Sequence, residues 1–158
     1  MKAHTNRVEF RAEELPLPSW TKKAESFIQK VLLELGQNNW DLSVLFCNNK
    51  YIKSLNAEYR KMDEATDVLS FPMGEKNRAG RFIAGDIVIS LEALEENSIQ
   101  FKVSADEELR RLLIHAILHL SGEDHGSNKA EEPMLKSQEE ILARLKDELI
   151  ILKYPGEN

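Results

Sequence analysis

Three of the four histidines in this sequence, His115, His119 and His125, lie within residues 115–125, HAILHLSGEDH. His115 and His119 are four residues apart, so on a helix their side chains lie one turn apart on the same face. Gly122 can adopt a positive φ, end that helix and turn the chain so that His125 approaches the other two. Three imidazoles with one open coordination position are the ligand set of a catalytic zinc site. The spacing therefore predicts one Zn²⁺ per chain, held at the C-terminal end of a helix.

Alternatives to a catalytic zinc site follow from the neighbouring residue types. Metzincin proteases share the histidine spacing, but their general base is a glutamate directly after the first histidine. Ala116 stands there in this chain and can move no proton, so peptide hydrolysis is a minor alternative. A closed structural site needs a fourth protein ligand, and no cysteine is near. The non-functional alternative is a buried polar cluster rich in imidazole, and nickel or another divalent ion suits the same ligands as zinc.

Composition limits the class of protein. At 158 residues the chain is most simply one domain, residues 1–158, with room for a sizeable core. No apolar run approaches the ~18–20 residues that span a bilayer, and the N-terminal stretch has no apolar signal segment. The single cysteine, Cys47, lies in an apolar run and is expected to be a buried thiol, which fits a reducing cytoplasm.

Charge is unevenly distributed along the chain. The net charge is −6. Residues 1–62 carry 10 Lys or Arg and 7 Asp or Glu, and residues 63–158 carry 11 and 20, so the two parts have net charges of +3 and −9. This acidity argues against broad, charge-driven binding of nucleic acid, and no DNA or membrane partner is expected. A local basic groove in the N-terminal part remains open, and ordinary surface variation explains the asymmetry equally well.

The elements that must position the histidines are predicted from hydrophobic periodicity. Strands are predicted near residues 5–11, 40–47, 67–71 and 82–89, the third closed by a proline and followed by a loop at 73–81. Helices are predicted after Ser19, after Asn48, over about 91–100, after Ser104 and over 129–152. The fold class is α+β: a single domain with one roughly four-stranded mixed sheet and helices packed against it.

Two polar positions in these elements are candidates for the site. The helix that begins after Ser104 carries His115 and His119 among apolar residues, so much of it is expected to be buried. Asp86 interrupts an otherwise apolar, central strand, and a carboxylate there needs a partner. We favour a structural hydrogen-bond acceptor at Asp86 over a direct catalytic role, and an indirect role in supporting the metal ligands is the further hypothesis.

Three blocks of sequence resemble the YbeY family of bacterial endoribonucleases. HAILHLSGEDH matches the family signature HGxLHLxGxDH except that Ala116 replaces the usual glycine. The second block runs from Leu55 to Pro72 and matches LNxxYRxxDxxTDVLSFP, and the third is GDIVIS at 85–90. Together the blocks span roughly residues 55–125 in the family's order, whereas the first 50 residues and the last helix agree only in element type.

The resemblance implies a zinc-dependent endoribonuclease specific for single-stranded RNA. It implies a role in ribosomal RNA processing, including formation of the 16S rRNA 3′ end, and in biogenesis and quality control of the small ribosomal subunit. By the same resemblance the metal ligands are His115, His119 and His125, and the functionally important arginine is Arg60.

Phosphodiester cleavage needs positive charge where charge develops on the phosphate. Arg60 is our candidate because its guanidinium is permanently charged and binds phosphate through two donors. A surface salt bridge to Glu58 or Asp63 is the structural alternative. Asp124 is placed to orient a ligand or to act as a base, and Glu123 is a further candidate. Whether the nucleophile is metal-bound water or the RNA 2′-hydroxyl stays open.

A second class of function is also consistent with this sequence. The chain would then be a ribosome-assembly factor that acts mainly by binding, with a metal that stabilises its fold. The three-histidine set with an open position favours the enzyme, whereas the missing glutamate and the acidic surface leave room for the binding protein.

Overall fold

Strands and helices alternate through the first part of the chain, and three helices follow the last strand. The computed structural model describes residues 5–123 and 132–152. The strands are β1 (Arg7–Ala12), β2 (Trp40–Cys47), β3 (Val68–Lys76) and β4 (Phe82–Ser90). The helices are α1 (Thr21–Glu34), α2 (Asn49–Arg60), α3 (Leu91–Phe101), α4 (Ala105–Leu120) and α5 (Pro133–Arg144). None of the helices in these two ranges is long and apolar enough to cross a membrane.

The four strands form one mixed sheet in the order β1-β2-β4-β3. β1 runs parallel to β2 and β2 runs parallel to β4, whereas β3 is antiparallel to β4 and occupies an edge. The predicted α+β class with one four-stranded mixed sheet is therefore confirmed, as is the central position of the apolar strand over residues 82–90. The sheet is mixed because a helix connects the parallel neighbours β1 and β2, whereas β3 and β4 follow each other directly and pair antiparallel.

Alternation along β2 divides the hydrophobic side chains between the two faces of the sheet. Trp40, Leu42, Val44 and Phe46 belong to the larger core cluster, together with buried residues of α1, α4 and α5. The opposite face carries a smaller cluster that includes Cys47 and is covered by Ile52 of α2. Cys47 is fully buried, as predicted, and burial raises the pKa of its thiol to about 12. This cysteine is therefore a core residue with very little thiolate character.

The start of α1 differs from the prediction. Ser19 was expected to cap this helix, but the cap position is Trp20, and no side chain supplies a capping hydrogen bond. Trp20 instead packs its ring edge-on against Phe46 of β2, with 5.1 Å between ring centroids. Burial of an aromatic side chain at the cap position thus replaces the polar cap that the sequence suggested.

β3 is longer than predicted. The proline at 72 was expected to end the strand, yet β3 continues to Lys76, and only residues 77–81 form the loop. Proline is tolerated because β3 lies at an edge of the sheet, where a missing N–H need not break a ladder. The register shifts between Pro72 and Glu75, so the irregularity is absorbed as a bulge rather than as a chain end.

The last helix is shorter than predicted. The periodicity suggested residues 129–152, of which 129–131 lie outside the described residues, and α5 ends at Arg144. The segment after α5 is held instead by Asp106, near the start of α4. Its Oδ1 accepts hydrogen bonds from the backbone N–H groups of Ile150 at 2.6 Å and Ile151 at 2.7 Å. A buried carboxylate that captures two N–H groups is an alternative to helical hydrogen bonding that hydrophobic periodicity does not detect.

Candidate metal centre

Helix α4 carries the two described histidines and has a defined start and end. The hydroxyl of Ser104 accepts a hydrogen bond from the N–H of Glu107, which confirms the predicted N-cap. At the other end, Gly122 has a φ of +96°, its N–H bonds to the carbonyl of His119, and the N–H of Glu123 bonds to the carbonyl of Leu118. These two hydrogen bonds form a Schellman motif, so Gly122 ends the helix as the sequence predicted.

The Nε2 atoms of the two described histidines lie close together. His115 and His119 are half-buried on one face of α4, and their Nε2 atoms are 3.2 Å apart. Two imidazole nitrogens bound to one tetrahedral Zn²⁺ at 2.0–2.1 Å lie about 3.3 Å from each other. The pair therefore fits two ligands of one ion. The same distance also suits a hydrogen bond in which the Nε2–H of His119 donates to Nε2 of His115.

Besides His119, the side chain of His115 contacts Gln138 of α5. The side-chain oxygen Oε1 of Gln138 lies 2.7 Å from Nδ1 of His115, and Gln138 is buried, with 7% of its surface exposed. The other end of this amide, Nε2, donates to Oε2 of Glu139 at 3.0 Å. Because a carboxylate only accepts, this contact fixes which end of the amide faces His115.

Arg111 holds Glu139 in place. Its Nε and Nη2 donate to the two carboxylate oxygens of Glu139 at 3.0 and 3.1 Å, which is a bidentate pair between α4 and α5. The hydrogen bonds to Glu139 raise the pKa of Arg111. Partial burial alone would raise the pKa of Glu139, but the hydrogen bonds from Arg111 and Gln138 outweigh it and lower that pKa. Both groups are therefore charged at neutral pH, and the polar chain Arg111–Glu139–Gln138–His115 is complete.

Arg60 is the last residue of α2 and is exposed. Within the described part of the chain it makes no ion pair, so the predicted structural alternative, a salt bridge to Glu58 or Asp63, is absent. The neighbouring Tyr59 is 62% exposed and packs edge-on against Phe71, with 5.6 Å between ring centroids. No hydrogen bond or ion pair links Arg60 to His115 or His119, and the guanidinium of Arg60 is exposed to solvent.

Asp86 does not lie against the histidines. Its side chain is exposed on the sheet face that α2 partly covers, and it accepts a hydrogen bond from the hydroxyl of Ser43 on β2. It lines a groove of about 350 Å³ on that face, together with Arg11 and Tyr59. The partner that a carboxylate in a central strand requires is thus Ser43, and this placement agrees with a structural acceptor better than with support of a metal ligand.

Two predicted site residues lie outside the described residues: Asp124 and His125. Within residues 5–123 and 132–152, no group of three or more His, Cys, Asp or Glu side chains is arranged to hold a metal. Of the three predicted ligands, His115 and His119 lie within these ranges. Glu123 is described and half-buried, and its backbone N–H is used in the helix-ending motif.

The second sequence block, Leu55 to Pro72, makes hydrogen bonds that connect it to helix α4 through α3. Asn56 is buried and donates its amide to the carbonyl of Glu64, which ties the segment after α2 back onto that helix. Asp67, just before β3, accepts a hydrogen bond from Asn97 of α3 at 2.9 Å. Asn97 also lies 3.4 Å from the carboxylate of Glu108 on α4, so this block is linked to the histidine-bearing helix by side-chain hydrogen bonds.

Sequence reasoning missed Gln138, Glu139 and Arg111. Arg111 and His115 are four apart and share a helix face, which was the one available signal. Gln138 lies 23 residues from His115 in the sequence, and its role depends on how α5 docks against α4, which no local pattern predicts.

The fold and the site together define a single-domain α+β protein with a four-stranded mixed sheet and a histidine pair on a buried helix. A family model described as endoribonuclease YbeY matches residues 7–146. The chain belongs to this family, and the resemblance predicted from the three sequence blocks is confirmed.

Individual relatives agree with this assignment. The endoribonuclease YbeY of Treponema denticola is 50% identical over 129 residues, which cover 79% of this chain and 83% of that protein. The protein of the same name from Aquifex aeolicus is 42% identical over 124 residues, covering 78% and 82% of the two chains. The solution structure of a Thermotoga maritima protein superposes with a TM-score of 0.62 at 25% identity, over 96% of this chain and 99% of that one.

Proposed function

We propose that this protein is a metal-dependent endoribonuclease that cleaves single-stranded RNA. The observation that carries the proposal is the convergence of the Nε2 atoms of His115 and His119 at 3.2 Å, in a chain that belongs to an endoribonuclease family. The substrate we propose is ribosomal RNA, in particular the 3′ end of 16S rRNA. The corresponding partner is the small ribosomal subunit, during its biogenesis and quality control, in the cytoplasm.

The proposed metal is one Zn²⁺ per chain. His115 and His119 would hold it together with His125, since three neutral imidazoles are a common zinc ligand set. When bound, the ion supplies Lewis-acid chemistry at a phosphoryl oxygen. His115 is in this sense also a catalytic residue, because it would lie beside the reacting phosphate.

Arg60 is the proposed phosphate-binding residue. A guanidinium offers two parallel donors to a phosphate, and Arg60 is exposed and has no competing carboxylate among the described residues. Tyr59, beside it, exposes 62% of its surface and rests on Phe71. Exposed aromatic rings next to a cation are a common way to bind unpaired bases, since each base can stack on a ring. This combination supports a preference for single-stranded RNA over duplex RNA.

The second candidate is a ribosome-assembly factor that acts by binding and uses its metal for stability. The net charge of −6 is the observation in its favour. A metalloprotease has less support than either, because Ala116 is buried and stands where a protease needs its general base.

The test is metal content and cleavage measured together on the full chain. Wild type and His119→Ala are assayed for bound zinc and for cleavage of a labelled single-stranded RNA, a duplex RNA and an unfolded peptide, each with and without chelator. We expect about one zinc per chain and cleavage of the single strand alone, with both lost in His119→Ala. His4→Ala is the matched control, since it removes the histidine outside the motif.

Each outcome has a consequence for the proposal. If His119→Ala loses its metal and retains the cleavage, the activity does not come from this centre and the assembly-factor function becomes the better one. Cleavage of the peptide instead of the RNA would favour the protease. Loss of RNA cleavage in Arg60→Gln with unchanged zinc content would support the proposed role of Arg60 in phosphate binding.

A further inference from the structure

Gln138 is a buried polar residue whose two amide ends have different, fixed partners. Nε2 donates to Glu139, and Glu139 is itself held by two hydrogen bonds from Arg111. The amide therefore cannot turn over without breaking the hydrogen bond to a carboxylate that is already anchored. Its oxygen Oε1 is left facing Nδ1 of His115 at 2.7 Å.

This geometry determines which ring nitrogen of His115 carries the proton. An amide oxygen only accepts, so Nδ1 must be the donor. In a neutral imidazole the other nitrogen then has no proton and presents a lone pair. For His115 that nitrogen is Nε2, the atom that lies 3.2 Å from Nε2 of His119.

We propose that Gln138 is a positioning residue for the metal centre, which sets the tautomer and ring orientation of His115 through Nδ1. The role of Gln138 at a metal centre rests on the proposed function, whereas its effect on the tautomer of His115 does not. A metal-ligating histidine commonly donates its second N–H to an oxygen, and loss of that partner typically weakens metal binding 10- to 100-fold. Gln138 supplies such an oxygen from α5, and the bidentate pair of Arg111 with Glu139 fixes its direction.

The pairing also links the site to the docking of two helices. Arg111 and His115 lie four residues apart on α4, whereas Glu139 and Gln138 are adjacent on α5. Arg111 pairs with Glu139 and His115 pairs with Gln138, and the hydrogen bond between Gln138 and Glu139 connects the two pairs. A displacement of α5 would disturb both contacts together.

The first experiment measures the tautomer in the metal-free wild type. In ¹⁵N-labelled protein at alkaline pH, where imidazoles are neutral, the nitrogen shifts and couplings of His115 report which nitrogen is protonated. We expect His115 to be protonated at Nδ1. A wild-type His115 protonated at Nε2 would overturn the inference, whatever any variant does.

The second experiment compares three variants of the full chain in zinc affinity and in the His115 spectrum. Gln138→Met keeps the length of the side chain and removes the acceptor, so we expect zinc binding 10- to 100-fold weaker and a mixture of tautomers. Gln138→Glu keeps an acceptor oxygen and is expected to retain the Nδ1–H tautomer and to bind zinc more tightly than Gln138→Met. Gln29→Met is the matched control, since Gln29 makes a structural hydrogen bond to the carbonyl of Asn6 and should affect stability alone.

The outcomes separate this inference from the proposed function. If Gln138→Met folds and keeps both the wild-type affinity and the wild-type tautomer, Gln138 is only a packing residue. If Gln138→Met does not fold, the His115 tautomer in the wild type and in Gln138→Glu still supports or overturns the inference. If the wild type binds no zinc at all, the proposed function fails, while the metal-free spectrum still supports or overturns the role of Gln138 in fixing the tautomer.

Discussion

At Gly85 of β4 the backbone of β3 passes too close to leave room for a side chain. The φ of Gly85 is +137°, a value that side-chain-bearing residues rarely adopt. A Cβ at this position would lie 2.2 Å from the carbonyl oxygen of Phe71, which is backbone and cannot rotate away. The glycine of the GDIVIS block is therefore required by the sheet itself, beside Asp86 but independent of any chemistry at that carboxylate.

Gly85→Ala is expected to destabilise the protein by about 2–4 kcal/mol, because backbone strain and a backbone clash add together. Urea unfolding followed by circular dichroism measures this cost. Gly80→Ala is the control: φ is +79°, but the space around it is open, so strain alone should cost about 1–2 kcal/mol. Equal costs for the two variants would show that the close approach to Phe71 is unimportant.

At the same scale, the histidines could be predicted from the sequence and their orientation could not. The spacing of His115, His119 and Gly122 determines which helix face and which helix end they occupy, since 3.6-residue periodicity and positive φ are local properties. The hydrogen bond that selects a tautomer of His115 comes from Gln138, and that contact exists only when two helices are docked.

At the scale of elements, α4 is anchored at its start by a buried ion pair. Asp106 and Arg110 are joined at 2.8 Å, and 8% of each side chain is exposed. The same carboxylate accepts the two N–H groups of the segment after α5. One side chain therefore joins the N-terminal turn of α4 to the end of the described chain.

Asp106→Ala is expected to cost about 3–5 kcal/mol, since it leaves a buried guanidinium and two N–H groups without their acceptor. Glu148→Ala removes one partner of the half-exposed pair with Lys30 and should cost less than about 1 kcal/mol. Thermal unfolding of both variants in the same buffer measures the difference. A cost for Asp106→Ala as small as that of Glu148→Ala would contradict the anchoring role.

The contact of α4 with α5 should depend on acid in a predictable direction. The pKa of Glu139 is lowered in the folded chain, so its contribution to stability is present above the ordinary carboxyl value of 4.5 and is lost as pH falls below it. The melting temperatures of wild type and Glu139→Gln should accordingly differ at pH 7 and converge as the pH falls below 4.5. Glu140→Gln makes the same change of charge one residue away and should differ less from the wild type at pH 7. A difference between wild type and Glu139→Gln that does not shrink in acid would refute the assignment.

The element boundaries show where periodicity stops being informative. The strand continues past Pro72 because it lies at an edge, and α5 ends at Arg144 while a carboxylate from α4 captures the following N–H groups. Both differences arise from tertiary position, which a window of sequence does not contain. The strand over residues 40–47 was predicted correctly because the alternation of its side chains between two faces is itself a local pattern.

At the scale of the whole molecule, charge limits how RNA can be bound. A protein of net charge −6 has little general attraction for a phosphate backbone, so we expect RNA binding to depend on a few local contacts, among which Arg60 is the proposed one. The order β1-β2-β4-β3 leaves a groove on the sheet face beside α2, where Arg11 and Tyr59 lie. This groove combines the positive charge of Arg11 and the carboxylate of Asp86 with aromatic surface, in keeping with a small number of contacts.

The salt dependence of single-stranded RNA binding should therefore be shallow. For single strands the slope of log K against log [salt] is about −0.7 per neutralised phosphate, so we expect a slope between about −1 and −3. Arg60→Gln should make the slope shallower by about 0.7. Fluorescence anisotropy with a labelled oligoribonucleotide measures both. A slope steeper than about −5 would mean that a broad basic surface has been overlooked.

The docking of α5 on α4 also has a consequence for the order in which the protein is made. A ribosome synthesises α4 before α5, so His115 and His119 exist in the growing chain before the glutamine that is proposed to direct one of them. If Gln138 selects the tautomer of His115 as proposed, that selection waits until α5 has docked, and zinc would be held more weakly before then. The zinc affinity of the chain should therefore rise with the docking of α5 and not with the folding of α4 alone.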